Sequence, residues 1–207
     1  MANGDTIGIV GQFLRAIGVP VNSLRFGKTG EQVTTDAHGR YHEAAGCGRV
    51  FYAASQAATT WSVALNTTHS GLVVSNPIGS GVLLSILQVG FSLSVAPVAI
   101  AHMGLFGGFA TTGLTAHTTP LTPGSTYIGN TKQQGLADGA ATLVGTPVWL
   151  MPIMGGFTAG ALPSTSPVNP VDIGGSFTVP PGGYIGIGAL TAVVGFAGIT
   201  WEEIPIV

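Results

Sequence analysis

The stretch VLLSILQVGFSLSVAPVAIAHMGLF, Val82 to Phe106, decides the fold. It is long enough to span a bilayer, and a mean hydropathy of +0.50 for the whole chain points the same way. Its internal order points elsewhere. Val89, Phe91, Leu93 and Val95 alternate with Gly90, Ser92 and Ser94, a period of two that sets one apolar row on one face of a strand. Pro97 breaks the run, and Gln88 and His102 would lie in hydrocarbon without partners. The stretch therefore reads as strand, and no membrane partner is expected.

The same texture continues outward. Leu72 to Ser75 leads into the turn-rich NPIGSG at Asn76–Gly81, and TLVGTPVWLMPIM (Thr142–Met154), GSFTVPPGGYIGIGAL (Gly175–Leu190) and GITWEEIPIV (Gly198–Val207) read as strands separated by Gly/Pro turns. PPGG at Pro180–Gly183 is the clearest turn, because proline presets φ on the way in and glycine accepts a positive φ on the way out. Many short strands with such turns predict an all-β sandwich or jelly roll. Helix is expected only within the first twenty residues, where Ile7, Val10, Leu14 and Ile17 follow a 3-4-3 spacing that Gly8 and Gly11 weaken. Residues 1–25 read as an N-terminal arm and 26–207 as the β-sandwich domain, since so short an arm cannot nucleate its own core.

The 207 residues carry only 7% charged side chains, against roughly 25% in an ordinary soluble domain. Nine of the fourteen lie between Asp5 and Arg49, and none lies between Arg49 and Lys132. A surface this poor in charge calls for cover by other protein once lipid is set aside. A net charge of −2 without a basic cluster excludes the electrostatic footprint of a direct nucleic-acid binder. The lone Cys47 cannot form an internal disulfide. Gly, Asp, Gln and Arg interrupt MANGDTIGIVGQFLRAIGV, so no signal peptide is read there.

Several motifs look like chemistry. FGKTGE at Phe26–Glu31 holds the Gly-Lys-Thr of a phosphate loop, but the first glycine such a loop needs is replaced by Asn22. The run EQVTTDAHG that begins at Glu31 has the residues of turn and strand rather than helix, so FGKTGE reads as a Gly-flanked turn and no cofactor is expected. His38 and His42, with Glu43 and Cys47 nearby, are ligands by type. As a pair they fall short of the four ligands of a closed metal shell, and strand is favoured there over a glycine-broken helix. IGSG at Ile78–Gly81 lacks the first glycine of a nucleophile elbow. His69, His102 and His117 have no acidic neighbour in sequence. Glu202 and Glu203 are adjacent, so in a strand they face opposite ways and form no carboxylate pair. Trp61, Trp149 and Trp201 read as core or interface anchors before sugar platforms. No catalytic residue is assigned and no enzyme is expected.

Taken together, GKTGEQVTTDAHGRYHEAAGCGRVF (Gly27–Phe51), NPIGSGV, PPGGYIGIG and GITWEEIPI resemble the jelly-roll virion proteins of tailed bacteriophages. The resemblance is to the group that decorates capsids as cement or knob subunits. It implies a TNF-like jelly roll that trimerises, is assembled in the host cytoplasm, resides on the virion surface and has the phage major capsid protein as partner, with no catalytic residues. The arm residues Ile7, Val10, Leu14 and Ile17 would then anchor the subunit to the capsid. The alternative is a receptor-binding tip of a tail fibre or baseplate, with the loops around His117 and Ser164–Asn169 contacting host glycans.

Overall fold

The computed structural model describes residues 40–61, 63, 65–110, 114–157 and 170–206. The arm with Ile7, Val10, Leu14 and Ile17, the FGKTGE turn and His38 lie outside them. In chain order the elements are α1 (His42–Gly46), β1 (Val50–Ala54), β2 (Thr59–Thr60), β3 (Thr68–Ser75), β4 (Val82–Leu93) and β5 (Ala101–Phe109). After these come β6 (Ala116–His117), β7 (Pro120–Leu121), β8 (Gly124–Ser125), β9 (Leu136–Thr142), β10 (Val148–Phe157), β11 (Val171–Val179), β12 (Gly183–Ala189) and β13 (Val194–Pro205).

Val82–Phe106 is strand, as its period of two predicts, but it holds two strands in two different sheets. Leu84 and Ile86 face the core at the start of β4, and Val89, Phe91 and Leu93 face it further on. An even row becomes an odd one because Leu87 is an extra residue: Thr200 and Trp201 of β13 are consecutive, yet they pair with Gln88 and Ile86. Such a bulge re-aims one side chain, and Leu87 packs instead with Ala44 and Val50 beneath α1. The apolar row ends at Leu93; Val95, past the strand, is exposed.

The strands form two antiparallel sheets. In the first the order is β11-β4-β13-β1-β8, with β2 also on β13; in the second it is β10-β5-β12-β3-β9-β6, with β7 on β9. β13 thus sits between β4 and β1 in the middle of the first sheet. The core between the sheets is built on Phe51, Trp61, Leu72, Leu105, Ile187 and Trp201, each such burial contributing about 1.5–3 kcal/mol.

The PPGG turn proves to be a corner rather than a hairpin. It carries the chain from β11 in the first sheet to β12 in the second, with Gly182 at φ +88°. Asn76, fully buried, holds this corner: its Nδ2 donates to the carbonyls of Val179 (2.9 Å) and Val82 (2.8 Å), and its backbone carbonyl accepts from Gly182 N–H (2.7 Å).

One helix corrects the sequence reading. His42–Gly46 is helical where strand was favoured and where helix was not expected. Ala44 and Ala45 are good helix formers, Glu43 sits at the positive end of the turn, and the apolar side meets Val50 and Leu87. Gly48, at φ +70°, ends it, with Arg49 N–H donating to the Ala44 carbonyl at 3.0 Å.

β12 reads GYIGIGA because its two faces meet different neighbours. Ile185, Ile187 and Ala189 point into the core. Tyr184, Gly186 and Gly188 belong to the other face, where rings lie so close that a methyl built on Gly186 would come within 2.5 Å of Phe106 Cζ. Gly186→Ala is therefore expected to cost about 1–3 kcal/mol by overpacking, read as a lowered urea midpoint. Gly46→Ala, at the end of α1 with nothing within 4 Å, should leave the midpoint unchanged or raise it, by up to about 1 kcal/mol of stability; equal losses for the two would refute the ring-on-glycine account.

Candidate functional site

The residues singled out by type are dispersed by the fold. His42 and Cys47 are exposed at the two ends of α1, and among the described residues no three His, Cys, Asp or Glu side chains gather to hold a metal. Glu202 and Glu203 do face opposite ways. Glu202 accepts from Arg49 Nη2 at 3.2 Å on the outside. Glu203 is buried and accepts the backbone N–H of Gln134 (2.9 Å) and Gly135 (2.8 Å) and Trp201 Nε1–H (3.3 Å). Its carboxylate fastens the stretch just before β9 to the last strand. Of the three tryptophans, Trp61 and Trp201 are core, and Trp149 is half-buried at the surface.

The structure adds a pair that sequence spacing concealed. His117 Nδ1 and Asp138 Oδ2 are 2.7 Å apart, on neighbouring β6 and β9. Asp138 is 0% exposed while the His117 side chain is 39% exposed. Burial pushes the Asp138 carboxyl above the usual carboxylate range, and the hydrogen bond from His117 works against that shift. A buried carboxylate of this kind fixes the tautomer and direction of an imidazole. The pair ties β6 to the edge of the second sheet as a clasp. Ser164–Asn169, the other half of the alternative glycan-contact loops, lie outside the described residues.

Phe106, Tyr184, Val73, Ala141 and Leu143 form a second apolar layer on the outer side of the second sheet, with Trp149 against it. Its floor is glycine: methyls on Gly104 and Gly188 would each come to 3.1–3.2 Å of the Trp149 ring. Phe106 meets Trp149 edge-on at 6.4 Å and His69 at 4.7 Å. His69 is buried there, and desolvation lowers its pKa from 6.5 to about 4 despite a hydrogen bond with the Ile187 backbone.

Beside this layer lies an open apolar depression of about 160 Å³, lined by His102, Met103, Gly104, Trp149, Pro152 and Leu190. It adjoins one end of the sandwich, where the β1–β3, β4–β5 and β12–β13 connections meet. Residues 54–61, 94–101 and 189–196 contain no charged side chain, yet Val63, Val95, Val98, Ile100, Leu190 and Phe196 are exposed there. An end without charge that carries several exposed apolar side chains is a candidate interaction surface in a folded domain.

No family model, curated protein or solved structure matches the chain, so functional assignment rests on the residues and their geometry.

Between pH 6.5 and about 4 the unfolded His69 binds a proton that the folded one does not. Stability is thus expected to fall with acidification across that window, by up to about 3 kcal/mol from this residue. Urea titrations of wild type and His69→Gln at pH 7 and pH 4.5 check it: the variant should lose less stability on acidification, and parallel losses would remove His69 as the cause.

Proposed function

We propose that this chain is a non-enzymatic structural subunit of a bacteriophage virion, a homotrimeric decoration or cement protein seated on the major capsid protein. Its strand order supports a jelly roll. With the short β2 and the β6–β9 insert set aside, eight strands remain, and their sheet orders β11-β4-β13-β1 and β10-β5-β12-β3 number 6-3-8-1 and 5-4-7-2. That is the pairing of two interleaved Greek keys. The resemblance of NPIGSGV, PPGGYIGIG and GITWEEIPI to phage virion proteins supplies the particle.

The observation that carries the reading is the uncharged apolar end of the sandwich. Surface of that kind is suited to lasting burial between subunits, and stability then rises with assembly by mass action. Against the glycan-binding alternative, the depression beside Trp149 has an almost wholly apolar lining, whereas a sugar site needs convergent polar groups as well as a stacking ring.

The expected outcome is a native mass three times the 20.8 kDa of the chain in detergent-free buffer, and cosedimentation with capsids of the parent phage that lack this subunit. Trimers that ignore capsids and bind a glycan array would favour the receptor-binding alternative; a monomer would remove the homotrimer.

A further inference from the structure

The depression and the loops beside it share one chemistry, since both present apolar side chains. At about 160 Å³ the depression is well below the roughly 300–1,000 Å³ of small-molecule sites, and apart from His102 its lining is apolar. A branched aliphatic side chain fits both its size and its chemistry. One projects from the same end of the domain: Val98, between β4 and β5, is 86% exposed, with Ile100 exposed two residues on.

The connections are tied together near their ends. Ser94 N–H donates to the Val194 carbonyl (2.9 Å), Leu190 N–H to the His102 carbonyl (3.0 Å) and Trp61 N–H to the Val193 carbonyl (2.9 Å). Val98 thus projects from a loop anchored at both ends, which limits the ordering left to association. Lacking charge, this end also brings no like-charge repulsion when identical copies meet.

We infer that the occupant of the depression is Val98 of a second copy of this chain. The contact rests on the homo-oligomeric reading and names its surface. Because knob and hole lie at the same end of the domain, reciprocal exchange across a two-fold axis and a head-to-tail ring both satisfy the contact, and the native mass distinguishes a dimer from the trimer of the proposed function.

The test is native mass and sedimentation velocity of wild type, Val98→Asp, Val98→Ser, Leu190→Asp and Ile128→Asp, with circular dichroism to show that each folds. Ile128, 95% exposed between β8 and β9 at the opposite end of the domain, is the control. Wild type and Ile128→Asp are expected to stay oligomeric. Val98→Asp and Leu190→Asp should run at the single-chain mass, and Val98→Ser should need at least about tenfold more protein to assemble. Oligomeric wild type with Val98→Asp also oligomeric would overturn this contact and leave the homo-oligomer standing. A monomeric wild type would overturn both, and its flotation with phosphatidylcholine vesicles would assign the apolar end to lipid instead.

Discussion

The packing of aromatic rings onto glycine is the constraint on which the second sheet depends. Most sandwiches bury one face of each sheet and leave the other to water. Here Phe106 and Trp149 lie over Gly104, Gly186 and Gly188, and Tyr184 over Gly108, so β12 is buried on both faces along its length. Glycine serves by lacking a Cβ: the rings approach the backbone more closely than any other residue would allow. The outer layer in turn buries His69 and shapes the wall of the depression beside Trp149, so the candidate contact surface derives from the same packing that sets the sequence GYIGIGA.

A few buried polar groups fix how the long connections lie on this frame. Asn76 holds the corner between β11 and β12, and Glu203 holds the stretch before β9 within the long β5–β10 connection. Asn130 donates to the Gly48 carbonyl at 2.7 Å, and His117 is clasped by Asp138. The first three place a side chain where backbone groups would otherwise lack partners, and the fourth joins two side chains. The same connection contributes β8 to the edge of β1 and β9 to the edge of β3. It thereby covers two strand edges that would be open to pairing with other chains.

Much of the fold was legible in the residues, and the exceptions have physical reasons. The alternation Val89, Phe91, Leu93 announces a strand because side chains along a strand alternate faces. Leu87 breaks that phase, and nothing local marks it, since its place is fixed by pairing with a strand more than a hundred residues away. The turn at PPGG was evident from proline and glycine; that it changes sheets depends on which strands lie alongside. α1 was missed because its glycines argue against helix and its support comes from Val50 and Leu87. The His117–Asp138 clasp joins residues 21 apart, so only the antiparallel return of the chain brings them together. The half-burial of Trp149 and the full burial of Trp61 and Trp201 likewise depend on tertiary placement, which residue type does not reveal.

The position of β13 has a consequence for how this protein comes into being. β13, furthest along the chain among the described strands, is the middle strand of the first sheet, flanked by β4 and β1. Until residues 194–205 emerge from the ribosome, those two strands have no neighbour between them and Trp201 has not closed the core. Such long-range pairing folds slowly, and the unfinished edges are open to wrong partners meanwhile. Loss of residues 194–205 therefore takes out the keystone of one whole sheet, whose native topology cannot begin to lock until they have been made.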